Sequence, residues 1–475
     1  MSMIIDVTGL FVSLMALGVL LLIGQAIRSS VGILRAIFLP TSIIAGFIGL
    51  LIGPQALGAL ITRVAGPDAL FAGGLLPPSL LDVWSELPVL LINVVFAALF
   101  LGKAIPGIRE IWSVAGPVIT YGQTVAWGQY VVGLLLALLI LTPVFGLPPE
   151  AGALIEIGFE GGHGTAAGLS GSFEALGFAE AADLALGLAT VGVVMGVVIG
   201  VALVNRSFRS GQIPAPGTVL HPEAEEILVC ETMQEQPPGE VDHPDIAAES
   251  LSIHLGVVSL AIIIGWVLLQ ALIRAEAVLL DLVGMQDFAL MHYIPLFPLA
   301  MIGGLILQVA LERLGRSDHL NRPLINRISG TALDVLILAA IATLSLTVIG
   351  EHLVPFLILA AAGVLWNVGA FLLLAPRLIP EHWFARGIPN FGQSMGMTAT
   401  GLLLSRMTDP NDRARGVEGF GYKQLLFEPV VGGGLFTAAS MPLIVQFGPV
   451  VMLLVTAVVM AGWLIFGLIS FGRSA

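Results

Sequence analysis

Between residues 156 and 168 the chain reads Glu156-Ile-Gly-Phe-Glu160-Gly161-Gly162-His163-Gly164-Thr165-Ala-Ala-Gly168. Glycine lets the backbone turn sharply and bares its N–H and C=O groups, which can then meet a ligand directly. N–H groups at a helix start suit an anion, whereas exposed carbonyls and a threonine hydroxyl suit a hard cation. A second stretch, Gly387-Ile-Pro-Asn-Phe-Gly-Gln393-Ser394-Met-Gly396-Met-Thr398-Ala-Thr400-Gly401, offers the same mixture. The candidate substrate-binding residues are therefore Gly161, Gly162, His163, Gly164 and Thr165, with Gln393, Ser394, Gly396, Thr398 and Thr400. Each also has a plainer reading. Glycines let helices pack closely, and hydroxyls return hydrogen bonds to their own backbone. One Glu-x-x-His without a second copy is a poor metal set, so His163 is expected to fix the loop by a hydrogen bond rather than to hold a metal.

The elements that must position these residues are set by the solvent. Hydrophobic residues make up 57% of the chain and charged ones 11%, and the mean hydropathy is +0.99. Apolar runs of about 20 residues, enough to cross ~30 Å of hydrocarbon, recur throughout. The chain reads as an all-α polytopic membrane protein with spans at 7–27, 36–61, 79–101, 113–142, 182–204, 251–273, 292–312, 329–350, 353–376, 424–447 and 449–471. The first run lacks a basic stretch before it and a small-residue cleavage site after it, which predicts a retained helix rather than a signal peptide. The two glycine-rich stretches hold too few apolar residues to face lipid. Irregular backbone at membrane depth is tolerated only inside protein or along a cavity, so both read as re-entrant loops, at 150–175 and 385–405. The net charge of −13 says little about nucleic acid in such a chain, and no nucleic-acid partner is expected. Cys230, the single cysteine, excludes an internal disulfide.

Residues 205–250 differ from the rest. Pro-Ala-Pro, Pro-Pro-Gly and nine acids within 205–249, against Arg206 and Arg209 alone, describe a soluble acidic linker that cannot bury a core. With this linker cytoplasmic and the N-terminus outside, all but Arg63 and Arg274 of the 19 lysines and arginines fall on the inner side. That bias sets the orientation and puts the C-terminus in the cytoplasm.

Five spans before the linker make 1–204 one repeat, and 251–475 a second that enters the membrane inverted. Pro40-Thr-Ser-Ile-Ile44-Ala-Gly46 lines up with Pro298-Leu-Ala-Met-Ile302-Gly-Gly304, and Leu81-Asp82-Val83 with Leu333-Asp334-Val335. Each half then carries its broken segment after its fourth helix. Inverted repeats whose interrupted segments meet near the midplane are the architecture of secondary transporters.

Gly161-Gly-His-Gly-Thr165 followed by Ala-Ala-Gly, then Ala189-Thr-Val-Gly-Val-Val-Met-Gly196, resembles the first re-entrant region of the sodium/glutamate symporter (ESS) family. The resemblance extends to the helices holding Pro40 and Asp82 and to Gly396-Met-Thr-Ala-Thr400. It implies a sodium-coupled transporter of an acidic amino acid, a homodimer in the plasma (inner) membrane, and an elevator-like movement of a core against a scaffold. It implies no cofactor beyond Na⁺ as coupling ion, and partners limited to a small anionic substrate and the lipid bilayer.

The chain leaves the resemblance at two places. Glutamate-transporting members typically have serine before Gly-Gly-His, where this chain has Glu160. A carboxylate near an anion site repels a dicarboxylate, so Glu160 either points away, or binds a cation or proton, or the substrate differs. The last helix, 449–471, is an extra element. Asp82 and Asp334 either cap helix starts, where a carboxylate favours the dipole, or join Glu160 as cation ligands. Arg386 and Arg406 bracket the second loop and reach a carboxylate only if one folds inward. An enzyme is not expected, since no Gly-x-Ser-x-Gly, His-Glu-x-x-His or paired-Asp motif occurs. The alternatives left open are a Na⁺- or H⁺-coupled transporter of another organic anion, and a channel.

Overall fold

A computed structural model describes residues 7–36, 39–211, 213, 244–283, 290–410 and 412–472. These residues form helices and no strand, and ten of the helices are long and apolar enough to cross a membrane. They are α1 (Val7–Ser30), α2 (Thr41–Ala65), α3 (Pro78–Ala97), α4 (Ile108–Phe145), α6 (Ala181–Arg209), α7 (Pro244–Val283), α8 (Leu296–Arg313), α9 (Arg322–Ala342), α10 (Leu353–Leu378) and α15 (Pro449–Phe471). Between them lie shorter helices: α5 (Gly162–Gly168), α11 (Trp383–Gln393), α12 (Thr398–Thr408), α13 (Gly416–Phe427) and α14 (Leu435–Phe447).

Three expected boundaries move. The span expected at 424–447 is two helices, α13 and α14, because Gly432 and Gly433 take positive φ between them and interrupt the helical ladder. The span expected at 329–350 ends at Ala342, and Leu346–Glu351 forms a separate short helix begun by the Ser345 hydroxyl, which accepts from Val348 N at 3.3 Å. Helix extends into both ends of the expected linker 205–250, since α6 runs to Arg209 and α7 starts at Pro244, while 214–243, with Cys230, lies outside the described residues.

The helices gather into two bundles. α1, α2 and α3 pack with α7, α8 and α9, so the first three helices of each half stand together. Small residues allow the contact. A β-carbon on Gly46 would come within 2.7 Å of Ile341 Cβ, and one on Gly265 within 2.5 Å of Ala300 Cα. Without a hydrophobic force between helices in lipid, such close approach supplies the dispersion energy that holds them. Polar groups close the ends. The Arg322 guanidinium donates to the carbonyls of Ala98 and Leu101, at 2.7 Å each, just past the C-terminus of α3 where a cation is favoured.

The second bundle is built around α4, against which α10, α13 and α15 pack. It also holds α6, the broken segment with α5, and α11 and α12, which lie against each other as a helical hairpin. α5 faces the first bundle. A β-carbon on Gly164 would come within 2.8 Å of Ile92 in α3 and 3.7 Å of Leu333 in α9.

Candidate functional site

The first glycine-rich stretch is helical up to its break. A π-helical turn spans Glu156–Glu160 and the Gly161 N–H still donates to Glu156 O at 2.9 Å. Gly162 then takes φ +70, a left-handed conformation that favours glycine, and α5 starts from it. The second stretch is the α11–α12 hairpin, whose turn 394–397 includes Gly396 at φ +136. Its legs touch closely, for a β-carbon on Gly392 would come within 2.6 Å of Gly401 Cα.

The two breaks meet. A β-carbon on Gly162 would overlap the carbonyl oxygen of Gly396. A third break, which the sequence reading placed inside a span, joins them. Gly432 N donates to Glu156 Oε1 at 2.9 Å, and a β-carbon on Gly433 would lie 2.6 Å from Thr165 Oγ1.

Two carboxylates sit at this meeting point with opposite surroundings. Glu156 is wholly buried and well satisfied. Its Oε1 accepts from Gly432 N and, at 2.8 Å, from the Thr437 hydroxyl, and its Oε2 accepts a short bond from the Tyr130 hydroxyl. Such donors offset the large cost of taking a carboxylate out of water. Glu160, one turn on, points inward; neither of its oxygens has a hydrogen-bond donor within 3.5 Å, and the Ser394 hydroxyl is a nearby donor. Its partner is Lys423 of α13, whose Nζ stands 3.8 Å from Glu160 Oε1, with both side chains fully buried. The same ammonium donates to Gln393 Oε1 at 2.6 Å and lies 3.2 Å from the centre of the Phe427 ring.

Amides on two spans fix the hairpin turn beside this pair. Asn367 Nδ2 in α10 donates to Ser394 O at 2.8 Å, and Gln129 Nε2 in α4 donates to the same oxygen at 3.1 Å. Asn390 Nδ2 reaches Ser394 Oγ at 3.3 Å, leaving Asn390 Oδ1 buried without a partner, as are Gln129 Oε1 and Thr165 Oγ1.

The structure thus brings together Glu160, Gly161, Gly162, Thr165, Gln393, Ser394 and Gly396. His163 stands behind the loop, with Nε2 3.0 Å from the Thr190 hydroxyl of α6. That hydroxyl donates to Leu186 O at 3.0 Å, so Nε2 is the donor toward it. Among the described residues no group of three histidine, cysteine or carboxylate side chains could hold a metal. Gly164 faces α3, and Thr400 faces α6, its methyl 3.6 Å from a β-carbon built on Gly196. Thr398 opens α12 and is half-buried. Asp82 is exposed near the start of α3, about 15 Å along the helix from Ile92, which touches α5. Asp334 adjoins Leu333 but is itself exposed. Arg386 does not turn into the site, since its guanidinium donates to Val114 O of α4.

Sequence reasoning counted Lys423 only toward charge bias and passed over Gln129 and Asn367. The signal was present for Gln129 and Asn367, polar side chains inside expected spans, whereas Lys423 adjoins the span expected at 424–447 and reads as a charge at its edge.

No curated protein matches the chain. The profile of the sodium/glutamate symporters matches residues 118–379, from the first third of α4 through the glycine break at 161–165 to the end of α10. With more than half of its length matched, and with its first glycine break falling inside that match, the chain belongs to the sodium/glutamate symporter family.

Proposed function

We propose that the chain is a secondary active transporter that carries glutamate or a closely related acidic amino acid into the cell together with Na⁺. Family membership supports the transport class, and the observation that carries the site is the buried ammonium of Lys423 at the junction of the broken segments. The sequence offered no cation inside either loop for a carboxylate, and α13 supplies one. Partial positive charge from the N–H groups at the glycine breaks and at the α12 start adds to it. Unpartnered buried oxygens of Glu160, Asn390, Gln129 and Thr165 are hard ligands of the kind Na⁺ takes in place of water.

The two bundles suit an elevator-like cycle. In this reading the bundle of α4, α6, α10 to α13 and α15 carries the site, and the bundle of α1 to α3 and α7 to α9 is the scaffold. The halves 1–204 and 251–475 are inverted repeats, the segments 150–175 and 385–405 are re-entrant, and the protein works as a homodimer in the plasma (inner) membrane. The scaffold bundle presents broad apolar faces for lipid or a second copy, including Phe11, Leu22, Ile263 and Trp266.

An uptake panel in proteoliposomes tests the assignment. Glutamate and aspartate are expected to be taken up faster with external Na⁺ than with choline, and neutral amino acids not at all. Uptake of a non-amino dicarboxylate alone, or of glutamate at equal rates in Na⁺ and choline, would overturn it.

A further inference from the structure

The Glu160–Lys423 pair is incomplete for a pair sealed inside a membrane protein. Buried ions offset their lost hydration only when they approach closely and their remaining protons and lone pairs are satisfied. Here they stand 3.8 Å apart, and neither Glu160 oxygen has a donor within 3.5 Å, the Ser394 hydroxyl being the nearby donor left to it. The protein can satisfy a carboxylate at this place, as the three donors on Glu156 one turn away demonstrate. Lys423 is equally unfinished, with one hydrogen bond, to Gln393, and an aromatic face for the rest. The other nearby carboxylate, Glu428, takes the Gln424 amide and feels the charges of both Lys103 and Lys423, so Lys103 is the cation that offsets it outside the pair.

We infer that Lys423 receives the substrate carboxylate, that Glu160 holds it while the site is empty, and that moving Lys423 from Glu160 to the substrate frees Glu160 to bind the coupling Na⁺. This rests on the symport reading above and adds the two groups that link substrate to ion. Charge explains the linkage. The empty pair is neutral, and so is the site after one substrate carboxylate and one Na⁺ have entered together. Either ligand alone leaves an uncompensated buried charge, which a low-dielectric interior disfavours strongly. Asn390 Oδ1, buried and unpartnered, stands ready as a second oxygen ligand. A β-carbon on Gly122 would lie 2.7 Å from it and 2.6 Å from Lys423 Cε, which sets that oxygen against the lysine stem. The exchange also removes the difficulty of a carboxylate next to an anion site, because Glu160 never faces the substrate unneutralised.

The test measures L-glutamate binding to the purified full-length protein in NaCl and in choline chloride, for wild type, Glu160→Gln, Lys423→Met and the double variant. Wild type should bind glutamate tightly only in NaCl. Glu160→Gln should bind it in choline at least about tenfold more tightly than wild type does, with NaCl giving no further gain. Lys423→Met should lose about 30-fold or more in glutamate affinity. It should also show a NaCl-dependent rise in melting temperature without glutamate, and the double variant should not. A Glu160→Gln protein with the wild-type Na⁺ dependence, or Lys423→Met with wild-type affinity, would overturn the inference. Should Lys423→Met fail to fold, the Glu160→Gln measurement decides alone. A wild type that binds no acidic amino acid in NaCl would instead defeat the symport reading, so the two failures are distinguishable.

Discussion

Gly162 and Gly396, far apart in sequence, face each other so closely that a β-carbon on the first would overlap the carbonyl oxygen of the second. The contact is backbone to backbone, and both residues hold positive φ. A side chain on Gly162 must push the two broken segments apart. One on Gly396 meets α6 instead, where a β-carbon would lie 3.0 Å from Val193 N, and so pushes the hairpin turn away from that helix.

Gly162→Ala and Gly396→Val are therefore expected to abolish uptake while the protein still inserts and folds, since the strain of about 1–2 kcal/mol per residue is local. Uptake in proteoliposomes beside size-exclusion profiles checks this. Near-normal transport by both variants would reduce the contact to packing.

The donors around Glu156 should be stability determinants. Tyr130→Phe and Thr437→Val each deprive a fully buried carboxylate of one hydrogen bond, with an expected cost of about 1–3 kcal/mol. Because both donate to one group, the double variant should depart from additivity. Melting temperatures of the four proteins in one detergent provide the measurement, and unchanged values for both single variants would show that Glu156 is held by other means.

How much of this was legible beforehand depends on what each residue needs. Ten spans follow from apolar length alone, and the glycine break at 161–164 stood out because a lipid-facing helix cannot hold it. The third break was hidden, since Gly432-Gly433-Gly434 is short and flanked by residues as apolar as a span. Lys423 was hidden for a related reason. At the edge of an apolar run it looked like one of the charges that set orientation, and only the fold brings α13 back against Glu160. Asp82 and Asp334 show the reverse case. Sequence left both between capping a helix start and binding a cation; both residues are exposed on the first bundle, and α5 meets Leu333, next to Asp334, and Ile92, ten residues along α3 from Asp82.

His163 should act through Thr190 and not through a metal. His163→Gln and Thr190→Val are each expected to lower stability by about 1 kcal/mol, with a coupling of similar size in the double variant. Wild-type transport should be indifferent to a strong chelator. Loss of uptake on chelation, restored by zinc, would contradict this role.

Topology gives an independent prediction. In a Cys230→Ser background, a cysteine placed between 65 and 78 should react with a membrane-impermeant reagent from outside, and one restored at 230 only from the cytoplasm. The reverse pattern would remove the charge-bias orientation, and labelling of both positions from one side would remove the inverted-repeat reading.

The central claim is coupled transport, and accumulation against a gradient tests it most directly. Proteoliposomes loaded with choline and placed in NaCl should concentrate L-glutamate above its external level, then release it when a sodium ionophore collapses the gradient. Glutamate that only equilibrates, at a rate the ionophore leaves unchanged, would contradict the account and indicate a pore.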